Sequence, residues 1–217
     1  MGWLGRSRPY DRDRLLAEAA RARTKGKAKK ALALLETVLA HEPSNAELHR
    51  RIAPLRAGAR RMADAWSSYR IAVASLVKAG FVDQAVGVLR EAAGSLERER
   101  AVWEQLAEAE AQRGRPIDAH KALLEGRDRF RSRRDRPEAI RLLLRARKLA
   151  PSHFEANFDL AGLLGSTGAR EPASRILIEL AARARGSELR RTRRRQLLLS
   201  PTPGALWRFV RSLAGRR

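Results

Sequence analysis

One spacing constrains this 217-residue chain more than any other property. Gly114 is followed by Ala119 and Leu123, and the same offsets recur in Gly26, Ala31, Leu35; in Gly80, Ala85, Leu89; and in Gly168, Ala173, Leu177. Two further copies begin with Arg: Arg60, Ala65, Tyr69 and Arg134, Ala139, Leu143. Successive copies lie alternately 34 and 20 residues apart, giving a super-period of 54. Upstream pairs keep the same period, since Ile52-Ala53, Leu106-Ala107 and Leu160-Ala161 are 54 apart, and Pro43 returns as Pro151 with Glu97 between them.

Each element of the spacing has a packing reason. A glycine after a helix adopts the left-handed conformation that ends it and turns the chain back. The alanine inside the next helix lets two helices approach closely, and the large residue one turn on fills the space beside that contact. The product is an antiparallel helix hairpin that buries its apolar face only by stacking on neighbours. Composition agrees, because 44% of residues are hydrophobic and only 5% aromatic, and the abundant Ala, Leu and Arg favour helix over strand.

The 20-residue steps predict long helices shared between two hairpins. "RMADAWSSYRIAVASLVKA", between Arg60 and Gly80, is one uninterrupted helical pattern, and "RPIDAHKALLEGRDRFRSR", between Gly114 and Arg134, is its equivalent. Three-helix units and about ten solenoid helices follow. Pro54 predicts a bend in the third helix or a shifted start.

Trp103, Leu106, Ala107, Gly114, Ala119 and Leu123 resemble the tetratricopeptide repeat, whose 34-residue pattern reads W-x2-L-G-x2-Y, then A-x3-F, then P. Gly26, Ala31, Leu35 and Pro43 resemble its second half, as do Ala139, Leu143, Ala146 and Pro151. The resemblance covers residues 12–182 with departures: Ala replaces the first Gly at 53, 107 and 161, and Arg56, Glu110 and Leu164 stand where the Tyr belongs. It implies an all-α fold, a right-handed α-α superhelix of TPR-like solenoid type. It also implies a scaffold that binds a peptide or helix in a concave groove. Carried onto this chain, the groove positions are Glu47 and Arg50, then Glu104 and Glu108, then Glu155 and Phe158. They do not reproduce the Lys/Asn carboxylate clamp of chaperone-binding members.

The organisation expected is a basic lead-in over residues 1–11, a repeat domain over 12–184, and an Arg-rich linker with an amphipathic helix over 185–217. Beyond the breaker cluster Ser200-Pro201-Thr202-Pro203-Gly204, Leu206, Trp207, Phe209, Val210 and Leu213 recur at helical spacing. This helix is expected to fold back as a basic cap over the last hairpin. A membrane-surface helix and a partner-docking segment are the alternatives.

The net charge of +22 is unevenly spread, with +1 over residues 31–124 but +6 over 125–150 and +10 over 183–217. Two runs are candidate basic patches. Arg127, Arg129, Arg131, Arg133 and Arg134 form the first, and Arg190, Arg191, Arg193, Arg194 and Arg195 the second. They support an alternative function, Arg-dependent binding of nucleic acid or an anionic membrane surface. Of 46 basic residues 39 are Arg, which composition bias explains as readily, and only Phe130 interleaves with either run, so base stacking has little support.

No catalytic constellation is legible. The four His, at 41, 49, 120 and 153, have no metal-ligand spacing, and His49 at the repeat's Trp position reads as a packing residue. "SLVK", Ser75 to Lys78, lies inside a repeat helix without the motifs that accompany it in penicillin-binding enzymes. "GSTG", Gly165 to Gly168, reads as a helix end. A non-enzymatic protein is expected, with no cofactor or metal and another protein, acidic in character, as partner. With no Cys, no apolar stretch of signal-peptide length at the start and no membrane-length apolar run, a cytoplasmic location is expected.

Overall fold

The computed structural model describes residues 10–214; residues 1–9 of the basic lead-in and 215–217 of the C-terminal segment lie outside the described residues. Among the described residues there are twelve α-helices and one short 3-10 turn, with no strand. They fall into two compact units that divide between Glu97 and Arg98.

The first unit holds α1 (Arg12–Thr24), α2 (Ala28–His41), α3 (Ala46–Gly58), α4 (Met62–Lys78) and α5 (Val82–Ser95). Each helix packs on the next, and α3 also touches α5. Its core gathers Ala19, Leu32, Leu35, Val38, Leu48 and Ile52. The departure from the repeat at Arg56 is resolved by charge. Arg56 pairs with Glu36 of α2 at 2.9 Å and donates to the buried Ser68 hydroxyl of α4 at 2.8 Å. His49 reaches the same hydroxyl with Nδ1 at 3.3 Å and the Pro43 carbonyl with Nε2 at 2.9 Å, so its role is packing. Helix α3 starts at Ala46 and continues through Pro54 to Gly58, so the start is not shifted. Lacking an N–H, Pro54 leaves the Arg50 carbonyl without its intrahelical donor.

The second unit holds α6 (Arg100–Gln112), α7 (Pro116–Arg127), a 3-10 turn (Arg133–Asp135), α8 (Arg136–Leu149), α9 (Phe154–Ser166), α10 (Arg170–Arg183), α11 (Gly186–Leu199) and α12 (Pro203–Ala214). The core around α9 and α10 contains Leu143, Phe158, Leu160, Ile176, Leu177 and Leu180.

The super-period reappears in the helix bounds. α2, α5 and α8 are each 14 residues long and start at 28, 82 and 136, while α3, α6 and α9 are each 13 long and start at 46, 100 and 154. Asn45, Glu99 and His153, the N-caps of α3, α6 and α9, each accept backbone N–H groups of the first turn. The six repeated alanines, Ala31, Ala65, Ala85, Ala119, Ala139 and Ala173, all have 0% exposure, as a residue at the closest helix approach must.

The turns follow the spacing at five of six places. Gly26, Gly80, Gly114 and Gly168 have positive φ, and Arg60 takes the same conformation at φ 63°. Arg134 does not, because it lies in the 3-10 turn. The shared helix expected there is also absent. α4 runs 17 residues as predicted, but α7 stops after 12, at Arg127. The chain leaves the helix so that Phe130 can be buried, at 5% exposure. It restarts where the Ser132 hydroxyl and N–H donate to the Asp135 carboxylate and Pro137 occupies the first turn of α8.

The Arg-rich segment after residue 184 is a helix rather than a linker. α11 packs on α10 and touches α9, as α8 packs on α7 and touches α6. α11 starts 50 residues after α8 instead of 54, and this slip of four residues hides the continuation from the spacing. α11 therefore covers the last hairpin, the role expected of the segment around Leu206–Leu213. That segment, α12, packs on α11.

Candidate functional site

α6, α8, α9 and α11 repeat one arrangement twice inside the second unit, with different outcomes. At α9 and α11 two arginines of α11 cover the Phe158 ring. The Arg195 guanidinium lies 3.7 Å from the centre of the Phe158 ring and donates to the Phe158 carbonyl at 2.6 Å. Burial lowers its proton affinity, and Asp159 opposes that shift. Arg191 stacks 4.6 Å from the same ring and forks onto Glu155 at 2.5 and 2.9 Å. The hydrogen bond and charge of Arg191 hold the Glu155 carboxyl below its ordinary range.

Two glycines make this fit possible. A Cβ at Gly162 would stand 2.5 Å from Arg195 Nη1, and one at Gly165 would stand 3.0 Å from Leu199 Cδ1. Arg127 closes the edge by pairing with Asp159. Burial pulls this guanidinium down, but Asp159 and then Asp128 outweigh it and leave it raised. A recess of about 400 Å³ remains over Leu124, Glu155, Phe158 and Asp159, with Arg127, Arg191 and Arg195 on its walls.

At α6 and α8 the face stays open. Glu104 stands where α9 has Phe158, and it pairs with Arg145 of α8 at 3.2 Å and with Arg100. Arg145 holds in α8 the place that Arg195 holds in α11, nine residues after each helix start. Where α9 has Gly162 and Gly165, α6 has Glu108 and Ala111. A recess of about 370 Å³ has the buried Ala107 and Leu123 at its floor, Glu104 in its wall, and the exposed Glu108, Ala111, Arg145, Lys148 and Leu149 around it. Leu149 is 40% exposed.

The proposed groove residues thus meet different fates. Glu104 and Glu108 share the open recess; Glu155 and Phe158 are engaged by arginines of the second basic run. Glu47 and Arg50 belong to the first unit, where Glu47 pairs with Arg51 at 3.0 Å and Arg50 is exposed. The basic runs do not form one free surface. Arg127, Arg191 and Arg195 are committed to internal partners, Arg131 donates to the Asp128 carbonyl at 2.9 Å, and Arg193 donates to Gln196 at 2.9 Å. Arg129 also has a partner, Arg190 is half-buried, and Arg133, Arg134 and Arg194 are exposed.

Sequence reasoning missed Arg145, Lys148 and Leu149, because the pattern marks α8 only through Ala139, Leu143 and Ala146. It also missed the meeting of His120 and His153, whose ring centres lie 4.7 Å apart. Burial, then the neighbouring His153, lowers the His120 pKa, and its Nε2 has no hydrogen-bond partner. Among the described residues no three metal-ligating side chains converge. No described helix is long and apolar enough to cross a membrane.

The hairpins, their left-handed turns and the buried small-residue contacts define two units of stacked antiparallel helix hairpins. No family model and no curated protein matches the sequence. Similar solved structures include the MamA protein, 17% identical over 94% of this chain and 90% of that one, with a TM-score of 0.33. A tetratricopeptide repeat protein from Parabacteroides merdae is 13% identical over 95% and 93% of the two chains, with a TM-score of 0.31. YrrB, described as a TPR protein with an unusual peptide-binding site, is 13% identical over 93% and 92%, with a TM-score of 0.29.

Proposed function

We propose that this chain is a non-catalytic protein-interaction scaffold that holds a peptide or helix of a partner protein on the α6–α8 face. The observation that carries the reading is the open recess of about 370 Å³, apolar at its floor and carrying both charge signs at its rim. Such a surface suits a segment that inserts one apolar side chain and flanks it with opposite charges, with the buried contact supplying affinity and the rim supplying register. Lys148 and Arg145 favour acidic flanking residues, whereas Glu108 requires a basic one beside them. The nucleic-acid reading is weaker, because Arg127, Arg191 and Arg195 are engaged internally and Phe130, the one aromatic within the runs, is buried.

The test is a photocrosslinking side chain placed at Ala111 in the recess and, separately, at Lys121 on the exposed side of α7. A discrete protein adduct from Ala111 alone, lost when Leu149→Asp is added, is the expected result. Equal adducts from both positions, or a nuclease-sensitive adduct at either, overturn it.

A further inference from the structure

α12 carries more apolar surface than its one neighbour covers. It turns Ala205, Phe209 and Ser212 inward, with Ala205 at 4% exposure, against α11. Leu206 at 51%, Trp207 at 66%, Val210 at 47% and Leu213 at 44% face solvent along the rest of its apolar arc. These positions follow the helical repeat, so they form one stripe rather than scattered exposures. Arg208 and Arg211 flank the stripe, and no acidic residue occurs after Glu188.

We propose that the exposed stripe of α12 docks this protein on the surface of a bilayer containing anionic lipids, with Trp207, Leu206, Val210 and Leu213 inserted at the headgroup boundary. The occupant follows from combining the two features. Aliphatic side chains gain nothing from phosphate or bases, and Trp207 is the single exposed aromatic of α12, so a nucleic acid leaves most of the stripe unused. A second copy would bring together two segments of +10 each, and that repulsion opposes pairing. An anionic bilayer satisfies both parts at once, apolar acyl boundary for the stripe and headgroup charge for the arginines. Arg193 of α11 lies close enough to Arg208 for the two charges to repel, which with burial lowers its proton affinity. At 12 residues the helix is short for stable insertion by apolar contact alone, so the arginines are required as a second signal.

The experiment uses the full chain with flotation on phosphatidylcholine vesicles, with and without a minority of phosphatidylglycerol, at physiological salt. Binding to the anionic vesicles only is expected, with quenching of protein fluorescence by brominated acyl chains that disappears in Trp207→Phe. Trp207→Ala with Val210→Ala should weaken binding about 10-fold or more, and Arg208→Glu with Arg211→Glu by a similar factor. Circular dichroism and sedimentation of each variant separate these losses from unfolding. Equal binding by the apolar variants means electrostatic adsorption alone and overturns the proposal. So does a Trp207-dependent dimer without vesicle binding, or Trp207-dependent binding to RNA in preference to vesicles.

Discussion

The α6–α8 and α9–α11 faces occupy corresponding places in the second unit and each keeps a recess, of about 370 and 400 Å³, yet the first is lined by small and aliphatic side chains and the second by arginines engaged with Phe158 and Glu155. The difference reduces to a few side chains. Gly162 and Gly165 leave room for Arg195 and Leu199, whereas Glu108 and Ala111 stand at the corresponding positions of α6 and share their recess with Arg145 and Leu149. The same helix scaffold therefore surrounds its recess with engaged arginines in one place and with small and aliphatic side chains in the other. A conserved backbone relation does not by itself tell which face is left for a partner.

The two faces differ most at their buried base. Gly126 of α7 seats Trp103 of α6, with an added Cβ only 2.4 Å from the indole, while the equivalent pair at α9 and α10 is Asn157 with Leu180. Gly126→Leu should cost about 3 kcal/mol or more, because a rigid buried ring cannot give way. Urea denaturation measures it, and an unchanged midpoint would mean that the two pairs are not alternative solutions to one packing problem.

A smaller loss is expected where the arginine-covered face is forced open. Gly162→Leu displaces Arg195 from Phe158, losing a charge-assisted hydrogen bond and a cation–π contact while gaining helix propensity, for a net cost of about 1–2 kcal/mol. Amide exchange should quicken across α11 and stay unchanged in α6 and α8. Uniform quickening would instead show that the arginine cover is not a local feature.

Acidity tests the N-terminal ends of the same helices, since α9 is capped by His153 and α6 by Glu99. The His120 pKa, lowered by burial and then by His153, means that the folded state binds this proton less readily than the unfolded chain. Its contribution to stability is fully present above the ordinary imidazole value of 6.5 and is lost as pH falls below it. His120→Asn should flatten this part of a thermal-midpoint profile; an identical slope in the variant would remove His120 as its source.

The α6–α8 rim should tolerate charge reversal. Glu108→Arg and Lys148→Glu lie on an exposed rim and should each change stability by no more than about 0.5 kcal/mol. Larger losses in chemical denaturation would show that the rim is structural, as its counterpart at α9 is.

Much of the fold was legible because its determinants are local. A residue that tolerates a left-handed turn, a small residue five positions on and a large one nine positions on specify a hairpin within a single short stretch. That is why the turns at Gly26, Arg60, Gly80, Gly114 and Gly168 and the complete burial of the six alanines follow the pattern. The reading failed where spacing was preserved but the backbone changed, at Arg134, because the burial of Phe130 and the Ser132–Asp135 cap ended α7 early. It failed again after residue 184, where a four-residue slip removed α11 from the register without removing it from the array. Of the residues expected to line a groove, Glu104 and Glu108 border one recess and Glu155 and Phe158 another, and their partners on α8 and α11 were not legible in the spacing.

By itself, the sequence determined that this chain builds stacked helix hairpins with a strongly basic C-terminal segment, since both properties depend on residue type at short range. Only the tertiary structure decided that Glu155 and Phe158 are covered by Arg191 and Arg195, that Glu104 and Glu108 rim an open recess, and that α12 keeps an apolar stripe in solvent. Those outcomes turn on contacts between residues 36 or more apart and on whether a glycine or a larger side chain stands between two helices. Helical periodicity fixes the direction in which a side chain leaves its own helix; what it meets there depends on the register of another.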